Sequence, residues 1–137
     1  AADDAHFGIP EVKRGLVAGA GGLLRLPRQI PFRVAMEFAL TGEFFSARRA
    51  YELGFVNRLA EHGSALEVAK QLAAAIASNG PLAVAISKQI LQASRNWSTD
   101  EMFARQHSSI RQIIDSEDAI EGPKAFAEKR APAWKGR

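Results

Sequence analysis

The chain has 137 residues, 47% of them hydrophobic and 24% charged, a profile that predicts one globular unit and excludes a disordered, collagen-like or disulfide-stapled chain. Without cysteine there is no disulfide, thiolate zinc site, iron–sulfur cluster or cysteine nucleophile. The longest uninterrupted apolar run, Leu72 to Ala77, falls far short of the roughly 18 residues needed to cross a bilayer. The 18 Lys and Arg are intermixed with 15 Asp and Glu, so the net charge of +3 marks no groove-reading element. Neither a nucleic-acid nor a membrane partner is expected, and the lack of cysteine suits a reducing, cytoplasmic setting.

In chain order, Phe7-Gly8-Ile9-Pro10 predicts an extended segment, because a residue before proline is pushed out of the helical region. Gly15 to Gly22 holds too many glycines for a helix interior. Leu23 to Arg28 predicts a short helix ended near Pro27, and Phe32 to Leu40 a second with Val34, Ala35, Phe38 and Ala39 as its apolar stripe, stopped by Thr41-Gly42. Ser46 is placed to cap Ala47 to Leu53, with Gly54 as the left-handed stop. A short strand is expected at Phe55 to Leu59. Leu66, Ala69, Ala73 and Ile76 mark one face of a longer helix ended near Asn79-Gly80. Pro81 opens the next, with Leu82, Ala85, Ile86 and Ile90 facing inward. Ser98 and Glu101 form a capping box for a helix running to Ile114, and Gly122-Pro123 restarts a last helix through Arg130. The sum is roughly six helices and at most two short strands, with opening residues that read like the middle of a sheet element.

His6, His62 and His107 are scattered and predict no metal site. No serine sits in a nucleophile-elbow context, and Gly19-Ala20-Gly21-Gly22 lacks the Lys-Ser/Thr of a phosphate loop. The best single candidate is Glu11, held by a stiff proline-preceded backbone ahead of the glycine segment, where burial would suit it to general base or acid work. An isolated glutamate is far more often a solvated residue, and spacing alone leaves that open.

Several motifs nevertheless occur together and in order. They are Phe7-Gly8-Ile9-Pro10-Glu11, Gly15, Gly19-Ala20-Gly21-Gly22, Arg25-Leu26-Pro27-Arg28, Leu40-Thr41-Gly42, Gly54-Phe55-Val56-Asn57, Gly80-Pro81 with Lys88, and Glu121-Gly122 with Ala125 to Arg130. With this set the sequence resembles the crotonase (enoyl-CoA hydratase/isomerase) superfamily over essentially its whole length. The resemblance implies an α/β crotonase-like spiral of ββα turns, of which this chain is the mostly α-helical C-terminal part. Residues 1–59 would end the spiral core with the Glu11 motif, and residues 60–137 would form a helical oligomerisation region. It further implies an acyl-CoA thioester substrate, no cofactor (coenzyme A being part of the substrate), and a homotrimer or dimer of trimers.

The resemblance makes Glu11 one of two hydratase carboxylates that orient a water for addition to a 2-enoyl-CoA. The other glutamate and both oxyanion amides lie upstream of Ala1 in this family, so the chain is expected to be part of a longer protein. An enoyl-CoA isomerase, another acyl-CoA lyase or hydrolase, and an inactive oligomerisation fragment are the alternatives. Gly19 is expected to line the acyl pocket. Arg14 stands where relatives often carry an apolar acyl-pocket residue, and would discriminate against a plain acyl chain only if it points inward. Lys129 matches a family lysine that approaches the CoA phosphates, the other reading being a cation at the end of the last helix. Phe126 is expected in the core, at a subunit interface, or against the adenine.

Overall fold

A computed structural model describes residues 1–137. Contacts within the backbone divide the chain into two compact units, Ala1–Gln71 and Leu72–Arg137. Seven helices and one two-stranded sheet account for the regular structure.

In the first unit β1 (His6–Phe7) pairs antiparallel with β2 (Phe45–Ser46), Phe7 opposite Phe45. Between them lie a 3-10 turn over Pro10–Arg14, α1 (Gly22–Arg25), a second 3-10 turn over Leu26–Arg28, and α2 (Phe32–Thr41). Proline at the first position of each 3-10 turn or just inside it forfeits no bond, since the first N–H groups of a helix have no internal partner. The stripe expected on α2 turns Ala35 and Phe38 into the core, and the helix stops at Gly42, which takes φ 65°. Phe38 stacks on Phe45 at 4.0 Å between ring centroids, and Phe7 and Phe55 close around Phe45 at 5.7 and 6.3 Å. Leu26, Ile30 and Ala50 complete this core.

Ser46 caps α3 (Ala47–Glu52) as expected, its Oγ accepting from the Arg49 N–H at 3.2 Å. Gly54 takes the left-handed conformation at φ 75°. The strand expected at Phe55–Leu59 is absent. The N–H groups of Phe55 and Val56 both donate to the Ala50 carbonyl, at 2.9 and 3.2 Å. The helix stop therefore folds these residues back onto α3 and delivers Phe55 to the aromatic core; their apolar run reflects that packing and no ladder. Ala60 alone makes a bridge, parallel to Ala2.

The helix expected after it is α4 (Ala65–Ala77). Its face differs from the expected one: Leu66, Ala69, Ala73 and Ile76 are exposed, and Ala65, Val68 and Leu72 are half-buried. Apolar residues surround this helix, so periodicity alone does not choose among its faces.

The second unit holds α5 (Pro81–Ala93), α6 (Met102–Ile114) and α7 (Glu117–Ala127). On α5 Leu82, Ile86 and Ile90 are turned inward as expected, whereas Ala85 is exposed. The capping box at Ser98 does not form. The Ser98 carbonyl, not its hydroxyl, accepts from Glu101 and Met102, and the Glu101 carboxylate pairs forward with Arg105 at 3.0 Å. Gly122-Pro123 does not restart a helix either: Pro123 lies inside α7. An interior proline costs about 3 kcal/mol, and α7 is held at both ends. Ser116 Oγ accepts from the Ala119 N–H at 3.1 Å, and Glu117 and Asp118 supply the acidic first turn that the helix dipole favours.

Helix α7 stops at Ala127, short of the expected Arg130, because Lys129 turns left-handed at φ 53° and the Arg130 N–H bonds back to the Ala125 carbonyl at 3.0 Å. Such a conformation costs a residue with a side chain about 1–2 kcal/mol. From there residues 131–137 run back along α7. The Glu121 carboxylate takes the Arg130 guanidinium through both Nη atoms, at 2.5 and 3.0 Å, and accepts the Ala133 N–H at 2.8 Å. Asp118, 7% exposed, accepts the N–H groups of Lys135 and Gly136 at 2.6 and 2.9 Å. The Arg137 carbonyl accepts the Glu117 N–H at 2.7 Å, so the segment ends as a cap on the helix start. Trp134 donates its indole N–H to the Ser78 carbonyl at 2.9 Å, its ring resting on Gly80 and Gly122. A Cβ on Gly122 would lie 3.3 Å from that ring, so glycine here is a seat for the indole.

The hydrogen bonds from Arg130, then that from Ala133, hold the Glu121 carboxyl down to about 2, from an ordinary 4.5. A carboxyl lowered on folding stabilises fully above its ordinary value, and that contribution is lost as the pH falls through the folded value. Thermal melts between pH 5 and about pH 2 are therefore expected to show wild type losing stability faster than Glu121→Gln, which has no proton to take up at that position.

Candidate active site

Glu11 is carried on the 3-10 turn that directly follows β1. Gly8 allows the chain to leave the strand, since a Cβ there would lie 2.8 Å from the Phe44 ring. Pro10 opens the turn, and Gly15 closes it at φ 69°. The Leu16 N–H donates to the Glu11 carbonyl at 3.1 Å, fixing the backbone beneath the carboxylate. The same turn is pressed against the end of α2: a Cβ on Gly42 would meet Lys13 Cγ at 3.0 Å and Val12 Cγ2 at 3.1 Å, and Lys13 Nζ pairs with Glu43 at 2.6 Å.

Held in this way, Glu11 Oε2 is shielded from solvent and accepts no hydrogen bond from any group of the chain, alone among the buried side-chain polar atoms. A buried polar atom without a partner costs about 1–3 kcal/mol, more for a charge, and such atoms call for an explanation, a catalytic role being one. The backbone beneath Glu11 is thus fixed while Oε2 stays uncommitted, and a group that must bind and deprotonate a water requires such a free acceptor.

Ile9, two residues before Glu11, lines two apolar cavities of this unit. One, of about 180 Å³, is bounded by Leu26, Phe32 and Met36; the other, of about 360 Å³, by Phe7, Arg25 and Phe45. Arg14, at the end of the turn, is exposed and makes no ion pair or hydrogen bond within the chain. Gly19 is exposed with open space around it, so nothing in the chain requires a glycine there. The crowded member of that run is Gly22, where a Cβ would meet Ile9 Cδ1 at 3.3 Å, and Gly21 is the one that needs a left-handed φ, 91°.

The other two candidates belong to the second unit. Phe126 is 87% exposed, while its neighbour Ala125 takes the buried position at 1%. Phe126 thus lies outside the core of this unit, which leaves the expected subunit-interface and adenine readings open: one residue of helix rotation separates it from Ala125, and α7 turns its alanine inward. Lys129 stands in the left-handed turn after α7, its ammonium outside every ion pair of the chain. Glu121, Asp118 and Trp134 carry the packing around that turn and were assigned no part by sequence reasoning. The signal for them was a lone tryptophan in the segment after α7 and a pair of acidic residues spaced three apart on α7.

The backbone is that of the crotonase fold. It superposes with a TM-score of 0.95 on the crystal structure of an enoyl-CoA hydratase from Mycobacterium tuberculosis H37Rv, 58% identical, covering 99% of this chain and 54% of that one. An enoyl-CoA hydratase from Mycobacterium marinum, 60% identical, gives a TM-score of 0.96 at the same coverage. The chain belongs to the enoyl-CoA hydratase/isomerase family, whose model matches residues 1–137. Among curated relatives, the carnitinyl-CoA dehydratase of Salmonella typhi is 41% identical over 140 residues, 99% of this chain and 54% of that protein. The chain thus spans about half the length of the relatives it matches.

If the uncommitted Oε2 is a cost to the fold, removing its charge relieves it. Glu11→Gln is expected to melt at or above the wild-type temperature in calorimetry, against the usual loss of about 1 kcal/mol for a point substitution.

Proposed function

We propose that the full-length protein is an enoyl-CoA hydratase-type lyase that adds water across the double bond of a 2-enoyl-CoA thioester, with Glu11 as one of two catalytic carboxylates. The observation that supports this reading is the Glu11 carboxylate, carried on a bonded turn, with a buried oxygen and no partner in the chain. In this reading Oε2 accepts a proton of the water that attacks the β-carbon, and the α-carbon receives a proton in turn. Negative charge that gathers on the thioester oxygen is met by two backbone N–H donors, each worth about 3–4 kcal/mol. Those donors and the second glutamate come from residues outside the chain, in keeping with its covering about half of its relatives.

The dehydratase relatives favour the same chemistry in reverse. Elimination of water from a 3-hydroxyacyl thioester passes through the same transition state, with the Glu11 carboxyl returning the proton to the departing hydroxyl. The alternative of an isomerase also uses a glutamate here as a proton shuttle. Lys129 is assigned to a phosphate of the CoA moiety, a role for which an unpaired ammonium on a flexible stem is suited. Gly19 is assigned to the acyl pocket, and the exposed Arg14 leaves that pocket open to a plain acyl chain. Phe126, with the exposed Phe103 and Ile120, offers the apolar surface on which a trimer would assemble. No helix is long and apolar enough to cross a membrane.

Hydration of crotonyl-CoA by the full-length protein tests the assignment. Glu11→Gln keeps the shape of the side chain and removes its basicity, so kcat is expected to fall by about a hundredfold or more, with KM changing little. Turnover at the wild-type rate would exclude Glu11 from the chemistry.

A further inference from the structure

Lys129 occupies a position where glycine is the low-cost residue, and the segment that follows it is tied to α7 at several points. Its neighbour Arg130 spends the guanidinium on two carboxylates, Nη1 and Nη2 on Glu121 and Nε on Glu128 at 2.6 Å. Glu121 also takes the Ala133 N–H, so a single carboxylate on α7 grips the chain on both sides of the turn leading away from Lys129. Farther along, Asp118 and the Trp134 indole fix residues 134–136. Left-handed side-chain-bearing residues persist where the surroundings over-determine them, and they cluster where a ligand is held.

We propose that Glu121 is the positioning residue for Lys129: through Arg130 and the returning segment it holds Lys129 in the left-handed turn from which its ammonium meets a phosphate of the CoA thioester. The inference rests on the assignment of Lys129 to that phosphate. Glu121 itself touches no substrate. Its carboxylate is committed to Arg130 and Ala133, and its effect on binding passes through the backbone of the turn.

The test uses the full-length protein and two substrates, crotonyl-CoA and the crotonyl thioester of pantetheine, which lacks the nucleotide phosphates. Glu121→Ala is expected to raise the amide exchange rates of Lys129 and Arg130 about tenfold, the equivalent of about 1.4 kcal/mol, with α5 amides unchanged. It is expected to raise KM for crotonyl-CoA several-fold more than it lowers kcat, to leave KM for the pantetheine thioester as in wild type, and to add nothing in a Lys129→Ala background. Unchanged exchange at Lys129, or a KM effect that persists undiminished beside Lys129→Ala, overturns the positioning role. Lys129→Ala with wild-type KM for crotonyl-CoA overturns instead the phosphate assignment, and this inference with it. Should Glu121→Ala fail to fold, Arg130→Lys keeps the charge but cannot bridge two carboxylates, and the same pattern is expected of it.

Discussion

The ring of Phe45 is the contact on which the first unit depends. It stacks on Phe38 of α2, faces Phe7 across the two-residue sheet, and receives Phe55 from the turn after α3. Three segments distant in sequence are thereby fixed around one side chain, whose burial contributes about 2–3 kcal/mol by area alone. A sheet of two residues a strand could not hold itself together in water; the aromatic cluster, not the ladder, sets the register of Phe7. Because Phe7 is fixed, the chain must leave β1 at Gly8 and turn at Pro10, and the place of Glu11 follows.

The carboxylates divide into two kinds by how far the chain satisfies them. Asp118 and Glu121 are satisfied several times over by backbone N–H groups and a guanidinium, which is how a fold uses a negative charge to tie down irregular chain. Glu11 is fixed through its backbone, where the Leu16 N–H meets its carbonyl, yet its buried Oε2 is left without a partner. A group that must exchange bonds with a substrate cannot have them all made in advance, so local stability is given up where function is expected. The same contrast applies to the cations near the last turn, where Arg130 is consumed by Glu121 and Glu128 while Lys129 is left free.

What was legible in the sequence was whatever depends on a few neighbouring residues. Ser46 as a cap, Gly42 and Gly54 as left-handed stops, and the inward stripe of α2 all follow from backbone groups that must be satisfied within one turn. The family and its fold were legible too, because the spacing of Phe7 to Glu11, of the glycines after it and of residues 121–130 survives as a pattern. The failures share one cause. Ser98 had the composition of a capping box, but its backbone carbonyl took the early N–H groups; Pro123 had the composition of a helix start, but α7 already began at Ser116. In both cases another group close by in the chain did the capping, and composition did not rank the two.

The sequence by itself therefore determined most of the helical segments, several of their ends and the family, and it marked Glu11 as a candidate for chemistry, since all of these are written in residue type and short spacing. Only the tertiary structure decided that Phe55 folds back instead of extending, that Ala125 and not Phe126 is buried, and that Glu121 grips the turn of Lys129. It also decided that Glu11 keeps an uncommitted oxygen. Burial and partnership are properties of what the rest of the chain brings alongside a residue, and no window of sequence around that residue contains them.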